Sequence, residues 1–170
     1  MSLSDFSLRN ANEADLPAMV NIYNATIPSR MVTADLEPVT VESRRPWLAA
    51  HQESSRPIWV LCDKTETVAA WLSFDQFYPR AAYDGTAMLA LYVSPLQRRL
   101  GLGRHLLQTA IQRAPAMRLH SLLGYIFGHN GPSLRLFEAQ GFKPWGHLPR
   151  IAVLDGIQRD LIIVGLRVAK

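Results

Sequence analysis

Cysteine is almost absent: Cys62 is the only one in 170 residues, so no disulfide can form within the chain. A single thiol suits a reducing compartment. Lysine is scarce too, with only Lys64, Lys143 and Lys170, so arginine carries nearly all of the basic charge. There is no dense basic run, and a net charge of +4 is too small to argue for a nucleic-acid partner. No apolar stretch approaches the roughly 18 residues of a membrane helix, which argues against a membrane partner. The opening Met-Ser-Leu-Ser-Asp-Phe lacks the basic-then-apolar order of a signal peptide. A soluble, cytoplasmic protein is therefore expected, with no metal site. Repeats, linkers and low-complexity tracts are missing. The whole chain, 1–170, reads as one domain, and at 48% hydrophobic residues it can bury a real core.

The informative stretch runs from Leu89 to Leu107. Leu89 to Val93 is a short apolar run closed by Ser94-Pro95, a buried strand. Leu106, Leu107, Ala110, Ile111 and Ala114 recur at helical spacing. Between strand and helix lies Arg98-Arg99-Leu100-Gly101-Leu102-Gly103-Arg104. Glycine lets a backbone approach a ligand closely. The first N–H groups of a helix are unpaired and sit at its positive end, where anions bind. A turn before a surface helix is also common, so this stretch alone leaves anion binding open. Two nucleotide signatures are excluded. A dinucleotide fingerprint needs a small residue where Leu106 stands, and the Gly-Lys-Ser/Thr of a P-loop is absent.

Read in order, the chain alternates strands and helices. Phe6–Arg9 is a strand, and a helix follows Asn12 and Pro17. A loop spans 29–38. Thr40 can cap a second helix, which Pro46 should kink or delay. Strands at 58–62 and 67–74 flank a hairpin turn, and 75–85 reads as a loop. After the central strand and helix come a strand at 121–127, a helix from Pro132 closed by Gly141, and strands at 142–153 and 161–168. The order β-α-α-β-β-β-α-β-α-β-β predicts an α/β fold with a mixed sheet.

Arg98-x-x-Gly101-x-Gly103 resembles the pyrophosphate-binding motif of the GNAT-superfamily N-acyltransferases. About 30 residues on, Asn130-x-x-Ser133-Leu-Arg-Leu-Phe137-Glu138-x-x-Gly141-Phe142 resembles a second GNAT pattern. Ile22-Tyr23-Asn24, Arg80-x-x-Tyr83, Leu91-Tyr92-Val93, Gly146 to Arg150 and Asp160 resemble the phosphinothricin acetyltransferase-like branch. The resemblance implies a mostly antiparallel mixed sheet whose two central strands splay apart, flanked by helices. It implies acetyl-CoA held by Leu91, Tyr92 and Val93, by Arg98, Arg99, Leu100, Gly101, Leu102, Gly103 and Arg104, and by Asn130, Ser133 and Phe137. It also implies direct attack on the thioester by the amine of a small molecule, such as an amino-acid analogue like phosphinothricin or methionine sulfoximine. No enzyme nucleophile is needed, so Cys62 reads as a core thiol. Tyr23 and Asn24 are expected at the acceptor pocket, and Arg80 and Tyr83 at a substrate carboxylate. A homodimer is expected, as in many members of that branch.

Two positions depart from the pattern. The branch's usual base, a strand Glu, is Met88 here, and its usual thiolate-protonating Tyr or His is Phe137. Neither side chain can carry a proton, and such help is worth about 100- to 10,000-fold. Tyr83, Asp84, Tyr92, His129 and His147 are the candidates to replace it. Otherwise the acceptor amine arrives neutral, or the protein is an acyl-CoA-binding module with weak or no turnover. A protein N-terminal or lysine acetyltransferase is a further alternative, and it predicts a groove wide enough for a peptide.

Overall fold

The computed structural model describes residues 2–168. Seven strands form one sheet: β1 (Ser7–Asn10), β2 (Ile58–Cys62), β3 (Val68–Gln76), β4 (Thr86–Val93), β5 (Ser121–Phe127), β6 (Lys143–Leu154) and β7 (Ile157–Arg167). Their order across the sheet is β1-β2-β3-β4-β5-β7-β6. Only β4 and β5 run parallel; every other neighbouring pair is antiparallel. The helices are α1 (Leu16–Asn24), α2 (Val41–Gln52), α3 (Leu102–Arg113) and α4 (Gly131–Glu138). The mixed sheet expected from the sequence is present.

Side-chain alternation divides the helices between the two faces of the sheet. On one face Leu89, Leu91 and Val93 of β4 pack with Leu102, Leu106, Leu107 and Ala110 of α3 and with Phe137 of α4. On the other, Tyr92 and Trp71 pack with Leu16, Met19, Val20 and Tyr23 of α1 and Leu48 of α2. Cys62 is fully buried in this second core, as expected of a core thiol, and burial pushes its thiol above the ordinary range.

The helices start where the sequence sets them. Asn12 accepts from the Ala14 N–H at 2.9 Å and opens a 3-10 turn that leads into α1. Thr40 accepts from the Ser43 N–H at 3.1 Å and opens α2 at Val41. Pro46 therefore does not delay α2; it lies inside the helix. Pro46 and Glu42 are both exposed, so water can take the carbonyl that the missing N–H leaves free. Boundaries also move: β7 begins at Ile157 rather than 161, because Ile157, Gln158 and Arg159 still pair with β6. β4 begins at Thr86 rather than Leu89, and β3 runs on to Gln76, because Asp75 and Gln76 still pair with Met88 and Ala87. The turn expected at Asp155-Gly156 joins β6 to β7, with both residues at positive φ.

One ion pair ties the sheet edge to α1. Arg9 of β1 donates to both carboxylate oxygens of Asp15, at 2.7 and 2.8 Å, and the Asn12 N–H donates at 2.8 Å. Burial alone would raise the Asp15 pKa, but these bonds offset it and hold the carboxyl below its usual 3.8. A depressed folded-state pKa adds stability above the unfolded value, and that stability is lost as the pH falls through the folded one. Asp15→Asn is expected to cost about 2 kcal/mol at pH 7, with the difference shrinking below pH 4. Urea denaturation at pH 7 and pH 3 measures both; a pH-independent difference contradicts the assignment.

Candidate active site

The parallel pairing of β4 and β5 is short. It runs from Thr86 opposite Ser121 to Leu89 opposite Gly124, and there it stops. Both strands continue, β4 along β3 as far as Val93 and β5 along β7 as far as Phe127. The sheet therefore opens between Ala90–Val93 and Tyr125–Phe127 into a cleft of about 1110 Å³. Phe137 sits where the strands part, nearly buried and edge-on to Phe142 at 4.9 Å. A Cβ on Gly124 would meet the Phe137 ring at 2.8 Å, so the glycine makes room for this wedge.

The open edge of β4 carries unpaired backbone groups. The Ser94 N–H still donates to the Ala69 carbonyl of β3 at 2.8 Å. By the alternation of a strand, the backbone groups of Leu91 and Val93 then point the other way, into the gap.

The gap leads to the start of α3. Gly101 caps this helix at φ +77°, a left-handed conformation that glycine adopts without strain. The first helical bond is donated by His105 to the Gly101 carbonyl, so the N–H groups of Leu102, Gly103 and Arg104 have no partner within the helix. No side chain caps them, and no acid lies in the first turn. Arg98, Arg99 and Arg104 are exposed around this end and line the cleft. Free amides, a helix dipole and three guanidinium groups suit a diphosphate. Gly103 faces Leu136, Val93 and Leu91 at 3.5 to 3.7 Å from a built Cβ, so a methyl fits there and only a longer side chain would block the cleft.

Opposite this end, the connection between α1 and α2 closes the cleft with Met31, Val32, Thr33 and Ala34. It is tied at several points. Tyr23 bonds Thr33, and it also donates to Asp35 at 2.5 Å. Asn24 grips the Val39 backbone through its amide N–H at 2.9 Å and its carbonyl at 3.0 Å. His129 Nε2 meets the Arg30 carbonyl at 2.7 Å, and Arg30 pairs with Asp155 at 2.7 Å. Asn130 donates to the Met31 carbonyl at 3.1 Å while capping the Ser133 N–H at 3.2 Å.

The face of the sheet under α2 holds a polar cluster. Asp75 lies directly across from Met88, and Ser73 from Ala90. Asp75 accepts from Ser73 Oγ at 2.5 Å and from Trp47 Nε1 at 3.1 Å, and its Oδ1 is 3.2 Å from His51 Nε2. His51 Nδ1 is 2.9 Å from the Trp47 carbonyl, which requires a proton on Nδ1. Burial alone would raise the Asp75 pKa, but bonds from His51, Ser73 and Trp47 hold it below the usual carboxylate range. Burial opposes charge on His51, but Asp75 and the Trp47 carbonyl offset it and push the imidazole above 6.5.

The residues anticipated from the sequence separate into two groups. Met88, Leu91, Tyr92, Val93, Arg98, Arg99, Gly101, Leu102, Gly103, Arg104, Asn130, Ser133 and Phe137 all line the cleft. Leu100 leans on the core instead. Tyr23 lies behind Tyr92, with ring centroids 5.1 Å apart, and Asn24 fastens the loop. Arg80, Tyr83 and Asp84 sit on the exposed β3–β4 connection, where Tyr83 packs edge-on against Phe77 and Tyr78. His147 pairs with Asp160 at 2.7 Å on the exposed outer hairpin. Of the proposed proton carriers only Tyr92 faces the cleft, and burial pushes its hydroxyl well above the ordinary range. Sequence reasoning missed Asp75 and His51. Asp75 looked like the first residue of a loop, and only the β3–β4 register brings it beside Met88.

The sequence model of the Acetyltransferase (GNAT) family matches residues 16–142. The chain is 52% identical to "Putative phosphinothricin acetyltransferase YwnH" of Bacillus subtilis, over 94% of this chain and 97% of that one. It is 32% identical to the L-methionine sulfoximine/L-methionine sulfone acetyltransferase of Pseudomonas paraeruginosa, over 94% and 93% of the two chains. Its fold is similar to that of yncA, a putative acetyltransferase of Salmonella typhimurium solved with its cofactor acetyl-CoA. The TM-score is 0.89 at 26% identity, covering 98% of this chain and 95% of that one. A cleft between splayed strands, an uncapped helix start beside it and these similarities agree: the chain belongs to the GNAT family of acetyltransferases.

Proposed function

We propose that this chain binds acetyl-CoA in the β4–β5 cleft and transfers the acetyl group to the amine of a small amino-acid-like acceptor. The observation that carries this reading is the opening of the sheet beyond Leu89, which ends at the unpaired amides of Leu102, Gly103 and Arg104. Acetyl-CoA supplies an activated thioester. The amides of α3 hold the diphosphate, with Arg98, Arg99 and Arg104 around it. The backbone groups of Leu91 and Val93 take the pantetheine arm as an added strand. An N–H of this edge polarises the acyl carbonyl, a contact that is often the largest single catalytic effect. Cys62 lies in the core away from the cleft, so the acceptor amine attacks directly.

The acceptor class follows from the relatives, which act on methionine sulfoximine and methionine sulfone by name. The acceptor approaches the face that bears Met88, Ala90 and Tyr92. Among the described residues no helix is long and apolar enough to cross a membrane, and the buried free thiol of Cys62 suits a cytoplasmic setting. The working form is a homodimer. Trp145, Leu148, Ile151, Val153 and Ile157 are exposed along the outer hairpin, and a second copy would cover them. Met88 and Phe137, both on the cleft, favour a second reading, an acyl-CoA-binding module without turnover.

Three measurements test these statements. With acetyl-CoA and a panel of amino-acid analogues, the chain is expected to release free thiol; tight CoA binding with no release for any amine would favour the module. Gly103→Glu places an acidic chain at the helix start and is expected to abolish CoA binding in calorimetry while leaving the fold intact. Unchanged affinity contradicts the placement. Sedimentation is expected to give twice the chain mass, and Val153→Asp with Ile157→Asp to give a monomer; a monomeric unmodified chain refutes the dimer.

A further inference from the structure

We propose that Asp75 and His51 together accept the proton of the incoming amine, in place of the carboxylate that Met88 lacks. This inference rests on the acetyltransferase reading above. Its basis is register. Residues directly opposite in an antiparallel pair share a face, with Cβ atoms about 4.5–5.5 Å apart. Asp75 is opposite Met88, and Met88 lines the cleft together with Ala90 and Tyr125. The Asp75 carboxylate therefore lies one strand away from where a glutamate at position 88 would stand, on the same face. It stands behind the cleft wall with 20% of its side chain exposed, so a water must link it to an amine beside Met88.

The bonding pattern suits a relay: Asp75 is too weak a base to keep the proton, and His51 is the stronger one. Ser73 and Trp47 can only donate to the carboxylate as it stands, so they hold it ionised and fixed in orientation. The Trp47 carbonyl fixes one proton of His51 on Nδ1, so the proton that comes and goes is the one Nε2 shares with Asp75 Oδ1 at 3.2 Å. As the nitrogen–carbon bond forms and the carbon–sulfur bond breaks, the amine N–H bond also breaks. Its proton passes through one water to the Asp75 carboxylate and on to His51 Nε2. The thiolate leaves with the electron pair, and the imidazole, with 12% of its side chain exposed, returns the proton to solvent.

The accepting form is ionised Asp75 with neutral His51; the charged imidazole, whose two nitrogens both face acceptors, is the form that acid favours. Acid protonates the imidazole and removes the acceptor, so the rate falls as the pH drops through the apparent pKa of the pair, above 6.5. Other titratable groups near this face are Tyr92 from β4, Tyr23 from α1, Arg44 from α2 and Asp35 from the loop between the helices. Arg44 stands over the Tyr23 ring at 4.8 Å and pairs with Asp35, so its charge is largely answered there.

Asp75→Asn keeps the shape and removes the charge. It is expected to lower kcat about 100-fold or more, with CoA affinity unchanged in calorimetry. The acid limb of the rate profile is expected to move, and the His51 imidazole, followed by NMR in the free protein, to titrate lower. Adding Met88→Glu to Asp75→Asn is expected to restore at least tenfold, because a carboxylate returns to the same face. A role confined to folding would not be rescued this way. Should Asp75→Asn fail to fold, His51→Gln carries the test, with a lower kcat and a flattened acid limb expected. Full kcat in a folded Asp75→Asn or His51→Gln protein, or no rescue by Met88→Glu, overturns the proposal. If the unmodified chain releases no thiol, the acetyltransferase reading falls and this inference falls with it. Normal release that survives Asp75→Asn overturns the pair alone.

Discussion

The structure depends on an interrupted row of hydrogen bonds. Backbone groups inside a protein are nearly always paired, yet the parallel ladder between β4 and β5 ends after Leu89 and Gly124. Neither strand ends there, because each is held by its other neighbour, β3 or β7. Phe137 keeps the two apart, lodged against Gly124 and Phe142. The sheet thus keeps a row of backbone groups unsatisfied and aims them at a cleft. The free energy of filling that row is available to whichever ligand can act as a strand.

The start of α3 repeats the same device at the end of the gap. A helix needs three or four amide partners from outside itself. Elsewhere side chains supply some of them: Thr40 for α2, Asn130 for α4 and Asn12 for the 3-10 turn that leads into α1. At α3 the cap is Gly101, which has no side chain to offer, and the surrounding charges are guanidinium groups. Of these four helices only α3 begins at a glycine, and its free amides open onto the cleft.

Much of this could be read from the sequence. Gly101 and Gly103 between an apolar strand and a periodic helix marked the anion end, because glycine and a missing cap leave local traces. The core was legible for the same reason, since Leu89, Leu91 and Val93 alternate and Leu106, Leu107 and Ala110 repeat at helical spacing. The acceptor side was not legible. Asp75 and Met88 are 13 positions apart in the chain and meet only through strand register. His51 joins them from a helix whose pattern gives no hint of a polar partner beneath it. Asn130 matched a cofactor motif, and the fold gives its side chain the further task of tying α4 to the loop at Met31. Arg80 and Tyr83 matched a substrate motif, and in the single chain they stand on an exposed turn. Motifs name residues well where chemistry is local, and poorly where distant strands must be brought together.

Amide hydrogen exchange with and without CoA tests the central claim most directly, because it reads the backbone groups themselves. The account predicts slower exchange on adding CoA at Leu91 and Val93 and at Leu102, Gly103 and Arg104, with Tyr92 unaffected. Unchanged exchange at these amides under saturating CoA, or protection confined to another part of the sheet, would contradict it.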